Sequence, residues 1–269
     1  MLRKSLVLAA ALGLLIAGPA AAAGDAKHPH APKGGWTFAG PFGKFDQQEL
    51  QRGFKVYKEV CAACHSLNQM SFRNLGEKHG PFYDPEFPNP NDNPYVKAIA
   101  ADWLLQVNDI DSETGDPIKR KPTTADKFPN PYANVVAAAA GNGGAPPPDL
   151  SVIAKARHNG PDYIYSLMTG YTAAPADVQK TAAQHYNAYF PGHLIAMPAP
   201  LAPNKVTFDD GTPSTIETQA KAVSAFLAWA SEPKQTERKQ TGLAVMIYLV
   251  LLAGLVYASY RRVWRNESH

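Results

Sequence analysis

The chain contains two cysteines, and both stand in one short run, Cys61-Ala62-Ala63-Cys64-His65. Thiols at this spacing can add across the two vinyl groups of a porphyrin while the adjacent imidazole ligates the iron. The run therefore predicts one haem c held covalently through Cys61 and Cys64, with His65 as the proximal iron ligand. A lone pair of cysteines in an exported chain would otherwise suggest a disulfide. A thioredoxin-like redox pair needs a strand just before the motif, and a zinc half-site needs further Cys or His at ligand spacing. The sequence offers neither.

A second axial ligand has to approach from the opposite face of the ring. Met70 is tethered too close to His65 to reach round, Met168 sits in an apolar stripe that reads as core, and Met246 lies in a long apolar run. Met197 remains, in the Pro- and Gly-punctuated stretch Tyr189-Phe-Pro-Gly-His-Leu-Ile-Ala-Met-Pro-Ala-Pro200. Such a stretch can be held rigidly over a haem face. On the residues alone Met197 is preferred, and His193 in the same loop is its rival.

These residues need elements to position them. Asp46-Gln-Gln-Glu49 reads as a capped helix start, and Leu50, Phe54, Tyr57 and Cys61 follow at helical spacing, so one helical face leads into the motif. Cys61 and Cys64 then project from the same side of its last turns. Pro146-Pro-Pro-Asp149 reads as a stiff turn whose Asp149 caps a short helix. A closing helix is predicted from Ser214-Thr-Ile-Glu217 through Val223, Phe226, Leu227 and Ala230, packed against the helix that carries the motif.

The ends of the chain indicate where it works. Residues 1–23 combine a basic start (Arg3, Lys4), an apolar run and a small-residue finish, the pattern of a cleaved signal peptide. Residues 241–260 hold no charge over 20 positions, enough for a transmembrane helix, and Arg261, Arg262 and Arg265 follow. The expected organisation is a haem domain over 24–240 on the periplasmic side of a bacterial inner membrane, a span over 241–260 and a cytoplasmic tail over 261–269. The formal charge of +3 resides at the ends: residues 24–240 carry 21 basic and 22 acidic side chains, a net −1, which gives no basic footprint for nucleic acid.

At this point the sequence resembles the cytochrome c1 family, the haem subunit of quinol:cytochrome c oxidoreductase. The resemblance rests on Arg52 through Ser66 with Arg73, on Gly144-Ala-Pro-Pro-Pro-Asp-Leu-Ser151, on Ala156-Arg-His-Asn-Gly-Pro-Asp-Tyr163 to Tyr171, and on Tyr189-Phe-Pro-Gly through Pro198. It implies a mainly α, class I cytochrome-c-like haem domain with long irregular insertions, plus one C-terminal transmembrane helix. It implies Met197 as the axial thioether, Arg157 neutralising a haem propionate, and Pro147 and Tyr163 beside the haem. It further implies a non-catalytic electron carrier. Its partners would be cytochrome b, a Rieske iron-sulfur protein as donor, a soluble or anchored cytochrome c as acceptor, and membrane lipid. The family commonly shows Met followed by two variable positions and then Pro, whereas here Pro198 follows Met197 directly.

Two other functions compete. A haem peroxidase or gas sensor would need a vacant sixth position, and a free-standing anchored cytochrome would lack the complex. From Asp84 to Asp116 eight acids stand against one base, Lys97, a surface that could steer a basic cytochrome or simply be a solvated loop. Residues 80–131 are rich in Pro and Asn, and no fold is predicted for them.

Overall fold

The structure is a computed structural model and describes residues 26–266. It is mainly α-helical. Helix α1 is Gln47–Val56, and the side chain of Asp46 caps it by accepting from the Glu49 amide at 2.7 Å. The Glu49 carboxylate does not complete a capping box. It turns across to Lys221 at 3.3 Å and lies 5% exposed.

Helix α2 (Pro94–Ala101) starts with Pro at its first position and Asn93 as cap, where a missing N–H costs nothing. Short helices α3 (Val135–Gly141) and α4 (Ile153–Ala156) precede α5 (Gly160–Thr169). The closing helix α6 is Ile216–Ser231. Its cap is Thr215, which accepts from the Thr218 amide, so the start lies one residue beyond the expected Ser214. Two small antiparallel pairs complete the fold, β1 (Val107–Ile110) with β2 (Pro117–Arg120) and β3 (His185–Tyr186) with β4 (Leu194–Ile195).

α1 and α6 cross at the centre of the domain. Leu50, Phe54 and Val56 from the first, with Tyr57 just past its end, meet Val223, Phe226, Leu227 and Trp229 from the second, all buried. Gly53 marks the closest approach, because a Cβ there would lie 2.0 Å from the Ala222 carbonyl oxygen. Around this seam an aromatic cluster forms, with ring centroids 5.7 Å apart for Tyr57–Phe226 and 4.3 Å for Phe72–Phe128. Burial of such side chains is the main favourable contribution to the fold. Trp103 and Phe128 come from the stretch over 80–131 for which the sequence predicts no fold, so this insertion supplies part of the core beside the haem motif.

Helix α7 (Gln235–Val263) runs on into a short 3₁₀ turn, and over Gln235–Asn266 it is long and apolar enough to cross a membrane, with a mean hydropathy of 2.2 and none of its apolar window buried. Its first turn is fastened to the domain: Thr236 is buried, and Lys239 donates to the Phe38 carbonyl at 2.6 Å. Residues 1–25, which contain the signal-like segment, and the last three residues of the tail lie outside the described residues.

Candidate functional site

The helical face that leads into the motif does not stay α-helical. After Val56 the backbone loosens into a π-turn over Tyr57–Cys61, with the Ala62 amide donating to the Tyr57 carbonyl at 2.8 Å. Cys64 and His65 follow in a tight turn, both amides donating to the Cys61 carbonyl. The two cysteines therefore stand at a widened helix end and on the turn after it, rather than on the last turns of an α-helix. Such single-turn widenings occur often at functional sites. A helix, not a strand, precedes the pair, which removes the thioredoxin-like reading, and among the described residues no group of three or more His, Cys, Asp or Glu could hold a metal ion.

Burial pushes the Cys61 thiol up to about 12, with neighbouring Cys64 adding to the effect and Lys205 opposing it. Tyr132 places its hydroxyl 3.9 Å from the Cys64 sulfur.

His65 has its tautomer set. Its Nδ1 lies 2.8 Å from the carbonyl oxygen of Pro148. A carbonyl only accepts, so Nδ1 carries the proton and Nε2 keeps its lone pair for a metal. Burial holds the imidazole below its ordinary range, against the opposing pull of the Pro148 carbonyl and the Asp149 charge. The ring is thus in the neutral form that ligates iron. Tyr57 donates to the His65 carbonyl at 3.2 Å, fixing the backbone beneath the ring.

The Pro148 carbonyl is held in turn by its neighbour. Asp149 accepts from the Ser66 hydroxyl and the Asn68 amide at 2.8 Å each and from the Ser151 amide at 2.9 Å. Burial raises this carboxyl, but these donors prevail and hold it below the ordinary carboxylate range. The expected role, capping the short helix after it, is not the observed one: α4 begins after Val152 with no side-chain cap. Asp149 instead clamps the Pro146–Pro148 segment, which is irregular rather than the expected turn, onto the chain just past the motif, with Pro147 half-buried within it.

Met197 lies half-buried just beyond the β3–β4 hairpin, and the Tyr171 hydroxyl donates to its carbonyl oxygen at 3.1 Å. Burial pushes the Tyr171 phenol up, with Tyr163 nearby adding to it. Burial also raises Tyr163, while the Arg157 guanidinium, within hydrogen-bonding reach, pulls the other way. Met197, Tyr171, Tyr163 and Arg157 thus form one chain of neighbours, and the segment from Pro148 to Arg157 links it to His65. Arg157 itself is exposed.

Among the rejected candidates Met70 is 2% exposed and Met168 packs against the core. His193 adopts a left-handed φ of 62° and stacks on Tyr186 at 5.4 Å. Sequence reasoning missed the parts played by Tyr57, Tyr132 and Pro148; each acts through a distant partner that no local spacing shows.

Paired thiols and a neutral imidazole with Nε2 unprotonated fit haem c. The sequence model of the Cytochrome C1 family matches residues 36–267. The chain belongs to the cytochrome c1 family. It is 42% identical over 276 residues to the cytochrome c1 of Blastochloris viridis, covering 96% of this chain and 94% of that protein. To the cytochrome c1 of Rhodospirillum rubrum it is 39% identical over 282 residues, covering 99% and 98%. A "Cytochrome b/c1" of Bradyrhizobium diazoefficiens is 43% identical over 257 residues; the match takes in 88% of this chain but only 36% of that longer protein. The family binds haem c, which makes the chain a haem-bearing electron-transfer subunit with Cys61 and Cys64 as its attachment pair, anchored by its C-terminal apolar helix.

Proposed function

We propose that this chain carries single electrons within a membrane quinol:cytochrome c oxidoreductase, beside cytochrome b, taking them from a Rieske iron-sulfur protein and handing them to a soluble or anchored cytochrome c. His65 and Met197 are its axial iron ligands, Arg157 pairs with a haem propionate, and Pro147 and Tyr163 line the haem. The domain over 24–240 faces the periplasm of a bacterial inner membrane, residues 241–260 span it and residues 261–269 end inside.

The observation that supports this reading is the Nδ1-to-Pro148 hydrogen bond of His65, which leaves Nε2 unprotonated inside a haem-attachment motif. Haem c with both axial positions filled supplies a one-electron iron couple and no vacant site for oxygen or peroxide. The protein's own residues do the rest. Cys61 and Cys64 fix the group to the chain, the clamp of Asp149 orients His65, and the guanidinium of Arg157 offers a bidentate, permanently charged partner for a carboxylate. Burial of Tyr57, Leu67 and Phe72 keeps water from the space behind the motif.

Mild solubilisation of native membranes tests the assignment. Haem staining of a denaturing gel should show pigment travelling with this polypeptide, and the native fraction should contain a di-haem cytochrome b. Pigment lost on denaturation would overturn covalent attachment. Recovery of the chain without cytochrome b would favour the free-standing cytochrome, and ready binding of carbon monoxide to the reduced protein would favour the sensor.

A further inference from the structure

The loop that bears Met197 is poor in backbone restraint at the residue where restraint matters. The β3–β4 ladder ends at the His185–Ile195 pair, and Pro198 and Pro200 have no amide hydrogen to offer. Among the described residues, one hydrogen bond reaches the peptide of Met197, and it comes from the Tyr171 hydroxyl.

Tyr171 is itself held in place. It forms an antiparallel bridge with Asn187. Asn187 is fully buried, donates to the Leu167 carbonyl at 2.8 Å and accepts from the Tyr189 amide at 3.0 Å. The Ala188 amide reaches back to Gly170, and the Asn187 amide donates to the His193 carbonyl. The C-terminal end of α5 thereby becomes a rigid post on which Tyr171 stands. A Cβ at Gly170 would lie 2.4 Å from the Tyr189 ring, so the post is packed tightly.

We infer that Tyr171 is the positioning residue for Met197: its hydroxyl ties the methionine's own carbonyl to the end of α5 and holds the thioether closed on the haem. This rests on the reading of Met197 as axial ligand. Thioether bonds to iron are easily displaced, so the fraction of time the loop stands open sets how readily an outside ligand enters. Loss of one hydrogen bond raises that fraction roughly fivefold.

The test uses the full-length, haem-loaded protein in detergent, with imidazole as the competing ligand of the oxidised form. Tyr171→Phe deletes one oxygen and keeps the ring. It should bind imidazole roughly fivefold more tightly, with covalent haem and thermal midpoint close to wild type. Imidazole affinity equal to wild type would overturn the inference. Met197→Leu separates the two readings: it should abolish the iron-to-thioether charge-transfer band. If the band survives there, the ligand assignment falls and this inference with it; if the band is lost but Tyr171→Phe binds imidazole as wild type does, only the inference falls. A second measurement needs no variant. Wild-type protein carrying carbonyl-¹³C methionine should show a hydrogen-bonded methionine carbonyl that shifts in redox difference infrared spectra, and no redox-sensitive methionine carbonyl would refute the tether.

Discussion

Gly53 lets the two central helices of the haem domain touch, and adding one carbon there should be costly. In Gly53→Ala the new Cβ would meet the Ala222 carbonyl oxygen at 2.0 Å and the Phe226 Cβ at 2.6 Å. Restoring ordinary contact requires α1 and α6 to part by roughly 1 Å, and a radial gap of that size forfeits a quarter to a half of the dispersion well at each affected contact. The seam holds Leu50, Phe54, Tyr57, Val223 and Phe226, each 3% exposed or less, so many contacts are affected at once. Overpacking of this kind costs about 1–3 kcal/mol or more, and the better helix propensity of alanine returns up to about 1 kcal/mol. A net loss of about 2 kcal/mol lowers the midpoint of a domain of this size by roughly 4–8 °C. Thermal melts of the haem-loaded, detergent-solubilised protein, followed by far-ultraviolet dichroism and by haem absorbance, measure it. Because the colliding atoms are a backbone oxygen and the Phe226 Cβ, trimming the facing residue with Ala222→Gly should not rescue the variant. A midpoint within about 2 °C of wild type, or rescue by Ala222→Gly, would refute the close-approach reasoning.

Three further expectations follow from the same geometry. Tyr57→Phe removes the donor to the His65 carbonyl and should cost about 1 kcal/mol in urea unfolding, leaving covalent haem in place; a loss of pigment would show that Tyr57 has another role. Asp126 is held down to about 2, first by its hydrogen bonds from Arg120 and also by Thr123, against burial. A depressed carboxylate contributes stability that is complete above its ordinary value near 3.8 and is lost as pH falls from there toward 2. Asp126→Asn should therefore flatten the acid limb of the stability profile while lowering stability at neutral pH, and an unchanged acid limb would remove the linkage. In the acidic insertion Asp102 pairs with Lys58 and Asp109 with Arg120, whereas Glu86, Glu113 and Asp116 have no ion pair among the described residues. Joint reversal of Glu86, Glu113 and Asp116 to lysine should slow electron delivery to a basic cytochrome c at low salt and flatten its salt dependence. Stopped-flow reduction across a salt series measures both, and an identical salt slope would exclude a docking role for these acids.

Local pattern makes much of this site legible in the sequence. The haem motif is a five-residue signal, the cap at Asp46 is a four-residue one, and the buried stripes of α1 and α6 repeat at helical spacing. Even so, roles and boundaries shift where tertiary contacts outbid local rules: Glu49 leaves its capping role for Lys221 on the facing helix, and Asp149 leaves a helix cap for Ser66 and Asn68. Residues 80–131 hold a readable cap and first-turn proline at Asn93-Pro94, yet Trp103 and Phe128 cannot be assigned to the core from sequence because their partners lie far along the chain.

What sequence spacing does not encode is the acceptor that sets an imidazole's tautomer. His65 and Pro148 are separated by 83 positions, and the two segments are held together by Asp149 on Ser66 and Asn68, by the Leu150 amide on the Ser66 carbonyl and by the Gln69 amide on the Ser151 hydroxyl. The motif names the proposed ligand, and the clamp would make it a competent one, since an imidazole with Nε2 protonated could not bind iron at that atom. By the same logic Met197, the proposed second ligand, is specified twice: once by its residue type in a proline-bounded loop, and once by a hydroxyl from the end of a helix before it in the chain. A site built from side chains this far apart along the chain has to be assembled by the packing of α1, α5 and α6, so the helix seam at Gly53 and the geometry at the iron ligands are parts of one structural problem.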